Sequence, residues 1–328
     1  MKSIKTVQSY LALYALLATF LFTPLAQAGS ILDRLIEREA QREQRELLDD
    51  SKAEKFTLPD DVHVIRDKSY GEHARQKFDV YLHKNNQSKN KPIIFMVHGG
   101  AWVFGNKGAR GVVENKMRHW LTQGAIFIST NYRLVPEVTP LEQAADIATA
   151  VATAQRLATE WGADPQQLIL MGHSAGAHLV ALLAADASLV EKSGMQPWLG
   201  TIALDIAAYD VNRIMADKHH SFYDKAFGNN ADFWTASSPY HVLSEANVVR
   251  AKSRNFLAVC SKNRAEMPCP RAQRFVEKGN SLGMSAQLAP FALSHSQINQ
   301  DLGRASAYTD LVDQTIAQWQ AQRRTTPQ

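Results

Sequence analysis

A serine flanked by glycines lies at residues 172–176, which read Gly-His-Ser-Ala-Gly. The apolar run Leu168–Met171 before it predicts a short strand, and the residues from Ala175 onward favour a helix. A sharp turn between a strand and a helix lifts a serine hydroxyl above the edge of a sheet. Glycine suits both flanks of such a turn, because a side chain would clash where the chain is pressed together. The segment therefore predicts a nucleophile at Ser174.

A second glycine-rich segment, residues 98–102, reads His-Gly-Gly-Ala-Trp and follows the apolar run Ile93–Val97. Backbone amides exposed at the end of a strand can stabilise the oxyanion that forms when a nucleophile attacks a carbonyl carbon. We expect three such donors, the amides of Gly100, Ala101 and Ala175. We expect three neighbours to support this loop, namely His98, Gly99 and Trp102.

Three segments and one late histidine together resemble the α/β-hydrolases of the esterase and lipase group. The resemblance is to the hormone-sensitive-lipase-like and feruloyl-esterase-like carboxylesterases. It rests on residues 98–102, on residues 131–134 (Asn-Tyr-Arg-Leu), on residues 172–176 and on His295. It extends over about residues 62–320, and it implies serine-dependent hydrolysis of esters with no metal or organic cofactor. It also implies that residues 131–134 buttress the loop of oxyanion donors.

A serine hydroxyl needs a positioned imidazole as its base. In this family the base follows the nucleophile and the acid along the chain. His295 comes just after the candidate strand Gln287–Phe291 and before a final helix, which is where the family keeps its base. His219 and His220 lack the carboxylates or cysteines of a metal site, so we expect them to be exposed polar residues.

The acid that orients the base departs from the family pattern. The usual carboxylate follows the strand Phe256–Cys260, but here that position falls near Arg264, and Glu266 is the only acid in the loop. Asp205 ends an apolar strand, as in some lipases of the same fold, and a buried carboxylate there needs a partner such as His295. We favour Asp205 as the acid and keep Glu266 as the alternative; a structural reading of Asp205 is a loop or helix cap.

The first residues have the pattern of a secretory leader. Two lysines precede the apolar run Leu11–Phe22, and residues 26–28 read Ala-Gln-Ala, so residues 1–28 predict a signal peptide cut after Ala28. The apolar run is shorter than the ~20 residues that span a bilayer, so no membrane span is expected after removal. A periplasmic or secreted location is oxidising, so we favour a disulfide between Cys260 and Cys269, with two free thiols as the alternative.

The charge balance is weak evidence for any polyanionic partner. The net charge is +4, and removal of Lys2 and Lys5 leaves about +2, which does not indicate nucleic acid binding. A small-molecule ester is the expected partner, and the oligomeric state stays open. Residues 29–58 are densely charged and predict a solvated helical segment before a single domain over residues 59–328.

Apolar runs alternate with helical stretches along that domain. Val62–Ile65 and Phe78–Tyr81 alternate as half-buried strands do, whereas later runs are continuously apolar. This order predicts an α/β-hydrolase fold, with a mostly parallel central sheet and helices on both faces. Residues 212–243 interrupt the rhythm with many aromatic residues, and they predict either a lid or an elaborated connection.

The segments together predict a serine hydrolase that cleaves carboxylic esters through an acyl-enzyme intermediate. An amide hydrolase of the arylformamidase or peptidase kind is the alternative, because the motifs do not separate esters from amides. A third hypothesis, motivated by the irregular acid loop, is a non-catalytic binding protein with a hydrolase fold.

Overall fold

The computed structural model describes residues 56–85 and 89–325. The predicted leader and nearly all of the charged segment 29–58 lie outside the described residues. Eight strands form one sheet: β1 (Val62–Ser69), β2 (Lys77–His83), β3 (Lys91–Val97), β4 (Ile126–Thr130), β5 (Ala163–His173), β6 (Gly200–Leu204), β7 (Asn255–Ser261) and β8 (Ser285–Phe291).

The strands follow the order β1-β2-β4-β3-β5-β6-β7-β8 across the sheet. Strand β2 pairs antiparallel with both β1 and β4, and every other neighbouring pair is parallel. The parallel pairs require crossover connections, and helices supply them. The predicted fold class, a mostly parallel sheet with helices, is therefore confirmed.

Twelve α-helices are found in the described part of the chain. They are α1 (Arg110–Thr122), α2 (Pro140–Leu157), α3 (Ala175–Ala185), α4 (Ala187–Ser193), α5 (Val211–Ala216), α6 (Ser221–Phe227), α7 (Ala231–Ala236), α8 (Pro239–Val242), α9 (Glu245–Arg250), α10 (Pro268–Ser281), α11 (His295–Gln300) and α12 (Ala307–Thr325). A 3₁₀ turn, Ala158–Trp161, follows α2.

The helices cover both faces of the sheet, because successive side chains of each strand point to opposite sides. On β3, Phe95 packs in the core shared with α2, α3 and α10, whereas Met96 packs in the core shared with α1 and α12. Helix α3 is buried along its whole length. A helix that is apolar on every side is typical of a protein interior, and α3 accordingly lies in the core.

The prediction of a half-buried β2 was wrong. Phe78, Asp79, Val80 and Tyr81 are all fully buried, so alternation along this strand does not mark a solvent face. Its polar member is buried because the ammonium of Lys107 lies 2.5 Å from Asp79 Oδ1 and the guanidinium of Arg66 lies 3.0 Å from Oδ2. Paired charges can be buried where a lone carboxylate cannot.

The carboxyl ends of the central strands meet at one edge of the sheet. Val97 at the end of β3 pairs with Gly172 on β5, and Leu204 at the end of β6 pairs with His173 on one side and Val259 on the other. In open parallel sheets this edge is where ligands bind. The predicted nucleophile, oxyanion loop and acid all follow directly from these strand ends.

Candidate active site

Ser174 occupies a strained turn between β5 and α3. Its backbone φ is +54° and its ψ is −123°, a conformation that residues other than glycine rarely adopt. The turn is held because the Ser174 amide donates to the Leu204 carbonyl at 3.0 Å, and its own carbonyl accepts from the His178 amide at 3.1 Å. Strain that the surroundings enforce is typical of functional positions.

The flanking glycines meet backbone atoms at very short range. A Cβ atom at Gly172 would lie 2.3 Å from the carbonyl oxygen of Gly176. A Cβ atom at Gly176 would lie 2.5 Å from the carbonyl oxygens of Val97 and His98, at the end of β3. These are the clashes that the sequence pattern predicts, and they show that the turn packs directly on the strand that leads into residues 98–102.

The loop after β3 turns through three successive residues with positive φ, at Gly100, Ala101 and Trp102. Two of these are not glycine, so the conformation must be enforced from outside. The carbonyl of Trp102 accepts from the Val135 amide at 3.0 Å and from the side chain of Gln143 at 2.8 Å. The loop shape thus depends on α2 and on the segment that follows β4.

This loop lies against the serine turn. A Cβ atom added at Gly99 would come within 3.0 Å of both the His173 carbonyl oxygen and Ser174 Cβ. Within the described residues, the amides of Gly100, Ala101 and Ala175 donate no backbone hydrogen bond. The three predicted oxyanion donors therefore belong to two segments in close contact.

Residues 131–134 support the loop from behind, as the resemblance implies. The hydroxyl of Tyr132 donates to the His98 carbonyl at 3.0 Å, and the two rings stack with centroids 4.4 Å apart. Burial lowers the pKa of His98 to about 3, so this imidazole is neutral. Arg133 forms an ion pair with the buried Asp146 on α2 at 2.7 Å.

Asp205 and His295 meet at the carboxyl edge of the sheet. Oδ2 of Asp205, directly after β6, lies 2.7 Å from Nδ1 of His295, and both side chains are almost completely buried. His295 is the first residue of α11, which begins with a capping box between Ser294 and Gln297. The helix start thus sets the direction of the imidazole, and the strand end sets that of the carboxylate.

The environment of Asp205 keeps the carboxyl group ionised. Burial alone would raise the pKa of Asp205, but Arg264, His295 and the Ser261 amide outweigh it and hold the pKa well below its ordinary value. An ionised carboxylate only accepts hydrogen bonds, so Nδ1 of His295 must be the donor. The neutral imidazole then has its free lone pair on Nε2.

Nε2 of His295 is buried and has no hydrogen-bond partner within the described residues, so it is not bonded to the hydroxyl of Ser174. The residue before Ser174, His173, is in contact with His295, and their ring centroids lie 4.4 Å apart. Nε2 of His173 donates to the His295 carbonyl at 3.1 Å, and Ser174 is the next residue along the chain. Hydrogen bonds of this kind often tighten only when substrate is bound.

Glu266, the alternative acid, has different partners. One carboxylate oxygen bonds to Nη2 of Arg264, and the other lies 3.5 Å from Nε2 of His220. The other terminal nitrogen of the Arg264 guanidinium, Nη1, lies 3.0 Å from Asp205 Oδ2. The structure thus brings Asp205, and not Glu266, to the imidazole of His295.

The aromatic residues of segment 212–243 pack on Trp102. The indole ring lies 4.9 Å from the ring of Phe227 and 5.6 Å from that of Tyr223, and it is 1% exposed. Its Nε1 donates to Nδ1 of His178 on α3 at 3.2 Å. Trp102, which the sequence places beside the predicted oxyanion donors, is therefore packed in the core between α3 and segment 212–243.

The expectation that His219 and His220 are exposed was wrong. Their side chains are 17% and 21% exposed, and they pair with Asp224 and Glu266, respectively. Aromatic packing across the segment, including His220 against Phe222 with centroids 5.2 Å apart, covers part of their surface. The part of the chain that the structure describes contains no group of three or more His, Cys, Asp or Glu side chains arranged to hold a metal ion.

Two residues at this site had no role assigned from the sequence. His178 lies one turn after Ser174 on α3, and its ring links Trp102 to the Ser237 carbonyl. Arg264 contacts the carboxylate of Asp205, and its position where an acid was expected was the available signal. Cys260 and Cys269, at the ends of the Arg264 loop, form a disulfide with a Cα–Cα distance of 5.2 Å.

The fold and these motifs agree with comparisons to known proteins. The BD-FAE family model matches residues 78–244, about half of the chain, and the chain belongs to this family of α/β-hydrolase esterases. The crystal structure of esterase B from Lactobacillus rhamnosis is similar in fold, with a TM-score of 0.66 and 20% sequence identity over 91% of this chain and 98% of that chain.

Two curated relatives are esterases by name. Esterase LipC of Mycobacterium tuberculosis is 25% identical over 229 residues, covering 66% of this chain and 55% of that protein. Isoprenylcysteine alpha-carbonyl methylesterase ICME of Arabidopsis thaliana is 30% identical over 131 residues, covering 40% of this chain and 30% of that protein. The chain thus spans 27% to 64% of the length of the curated relatives described by these matches.

Proposed function

We propose that this protein hydrolyses carboxylic esters by a serine-dependent mechanism with an acyl-enzyme intermediate. One observation carries the proposal: the ionised Asp205 is bonded to Nδ1 of His295 at 2.7 Å, at the sheet edge where the strained turn of Ser174 lies. A buried carboxylate, an imidazole with a free Nε2 and a serine in a tight turn are the components of acyl transfer.

In this proposal Ser174 Oγ attacks the ester carbonyl carbon while Nε2 of His295 accepts the hydroxyl proton. Asp205 orients the imidazole and stabilises the imidazolium that results. The carbonyl oxygen becomes an oxyanion held by the amides of Gly100, Ala101 and Ala175. His295 then returns the proton to the departing alcohol, and a water molecule repeats the sequence on the acyl-enzyme to release the acid.

The experiment is the Ser174→Ala variant, assayed on p-nitrophenyl esters of increasing chain length and on amides with matched acyl groups. We expect turnover to be lost while the unfolding midpoint is retained, and we expect a fluorophosphonate probe to label the wild type at Ser174 only. Retained turnover in the variant, or a folded wild type that is not labelled, would refute the proposal. Faster turnover of the amides would favour an amide hydrolase.

We also propose that the chain is exported and cleaved after Ala28, from the charge and apolar pattern of residues 1–28. A disulfide suits an oxidising compartment, which supports export. The test is mass spectrometry of the N-terminal peptide of protein recovered from the periplasm or medium of a bacterial host. A mature chain that begins at Gly29 is expected, and an uncleaved cytoplasmic chain contradicts the proposal.

A further inference from the structure

Arg264 lies in the segment between β7 and α10, and its guanidinium joins two carboxylates. Nη1 lies 3.0 Å from Oδ2 of Asp205, and Nη2 bonds to Oε2 of Glu266. The Arg264 side chain is 7% exposed, so this cation is nearly as buried as the carboxylate it contacts. A chain of polar contacts therefore runs from His295 through Asp205 and Arg264 to Glu266.

The contact with Arg264 offsets the electrostatic cost of burying the Asp205 carboxylate. Asp205 is fully buried, and an isolated carboxylate in that environment would take up a proton rather than stay charged. A neutral imidazole offers it one N–H group but no charge. Arg264 supplies the charge, and a guanidinium keeps it at every accessible pH.

The segment from Ser261 to Arg264 donates hydrogen bonds to both carboxylate oxygens of Asp205. The Ser261 amide donates to Oδ1 at 2.8 Å, while Arg264 and His295 share Oδ2. The loop is closed by the disulfide between Cys260 and Cys269. The orientation of the carboxylate toward His295 thus depends on a loop that contributes no residue to the proposed proton transfer.

We propose that Arg264 is a positioning residue for ester hydrolysis, which keeps the Asp205 carboxylate ionised and directed at His295, and that Glu266 aims Arg264 by opposing its charge. This inference rests on the proposed function. It gives the basic residue at the position of the usual acid a definite role, and it gives Glu266 a supporting role in place of the one considered for it from the sequence.

Loss of the Arg264 charge is expected to change the pH dependence of the reaction in one direction. Without the Arg264 cation the pKa of Asp205 rises, because the charge that most strongly opposes the effect of burial is removed. The hydrogen-bonded Asp205–His295 pair then takes up a proton more readily, because the positive charge beside Oδ2 of Asp205 is gone. The acidic limb of the kcat/KM profile is therefore expected to move to higher pH.

Other ionisable groups surround the Asp205 carboxylate, and their titration must be distinguished from the effect of Arg264. They are His173, Tyr209 and Tyr308 beside Asp205, with Lys116 beyond His173 and with Glu266 and His220 beyond Arg264. Burial and the neighbouring His295 hold the pKa of His173 well below its ordinary value, so it stays neutral through the acidic limb. His220→Gln removes the remaining histidine of the set, and we expect it to leave the limb in place.

The test compares Arg264→Met, Arg264→Lys and Glu266→Gln in kcat, KM and pH profile on one aryl ester. Arg264→Met is expected to lose ~10- to 100-fold in kcat, as partners that orient a functional side chain typically do, with an upward shift of the acidic limb. Arg264→Lys keeps the charge and should keep the limb while losing part of kcat. Arg323→Met is the matched control, because it breaks an ion pair between Arg323 on α12 and Asp164 near the start of β5, away from Asp205.

An Arg264→Met enzyme that folds and keeps both its rate and its acidic limb overturns the proposal. If Arg264→Met does not fold, Arg264→Lys is the deciding variant. An upward shift of its acidic limb, despite the retained positive charge, would also overturn the proposal. Fluorophosphonate labelling of each variant at Ser174 separates the two proposals. Labelling with an unchanged profile refutes the role of Arg264 alone, whereas an unlabelled folded wild type refutes the ester hydrolase itself.

Discussion

The carboxylate of Asp205 accepts a hydrogen bond from Nδ1 of His295 at 2.7 Å, across 90 residues of sequence. Each partner sits at the boundary of a regular element, the one after β6 and the other at the start of α11. The Asp205 amide donates to the Val259 carbonyl at 2.8 Å, and the capping box of Ser294 and Gln297 holds the start of α11. Small changes at this pair should therefore act on the reaction rather than on the fold.

Asp205→Asn should lower kcat by ~10,000-fold, because an asparagine cannot stabilise the imidazolium or hold the required tautomer. Glu266→Gln should lose far less, since Glu266 contacts Arg264 rather than His295. Steady-state kinetics on one ester measures both. Asp210→Asn is the control, as Asp210 caps α5 and should leave kcat within a few-fold. An equal loss in the Asp205 and Glu266 variants would contradict the assignment of the acid.

Trp102→Ala should destabilise the fold by about 3–5 kcal/mol, because it empties a buried site between α3 and the aromatic residues of segment 212–243. The loop of predicted oxyanion donors should loosen with it, so kcat should fall more than KM rises. Urea unfolding and kinetics measure the two effects. Val249→Ala, at a side chain that is 68% exposed, should change neither. A Trp102→Ala protein of normal stability would show that segment 212–243 is not anchored here.

Stability should fall in mild acid because buried histidines resist protonation. Burial lowers the pKa of His178 to about 4. Below the ordinary histidine pKa of about 6.5 the unfolded chain binds a proton that the folded chain does not, so stability is lost as the pH falls toward 4. Between pH 6.5 and 4.5 this one group costs about 2–3 kcal/mol.

Urea unfolding across that range tests the point in His178→Gln, whose stability should depend less steeply on pH than that of the wild type. The exposed His63 provides the control, and His63→Gln should reproduce the wild-type slope. Identical slopes in all three proteins would show that His178 is not held neutral by burial.

Reduction of the Cys260–Cys269 disulfide should lower the free energy of unfolding by about 2–3 kcal/mol, the value expected for a loop of this length. The sequence contains only these two cysteines, so a reductant has a single disulfide to act on. Because Arg264 and Ser261 both lie near this bridge, kcat should fall as well. Unfolding and initial rates with and without dithiothreitol provide the measurement. A double Cys→Ser variant that matches the oxidised protein in both would disprove the prediction.

Local patterns were sufficient for much of this architecture. The strands, the helices and the turn at Ser174 were predictable because periodicity and glycine sterics act over a few residues. Gly172 and Gly176 illustrate this, as the clash that excludes a side chain arises within the turn and its adjacent strand. The burial of β2 and the partial burial of His219 and His220 were not predicted, since they depend on ion pairs and aromatic contacts that the local pattern does not show.

The sequence by itself thus determined the fold class, the family resemblance and the set of side chains able to take part in acyl transfer. Only the tertiary structure decided which carboxylate reaches His295 and what Arg264 does. Asp205 and Glu266 both follow strands that end at the same edge of the sheet, so chain order does not distinguish them. The choice depends on distances of a few ångströms between elements far apart in the chain, and these are set by sheet register and loop packing.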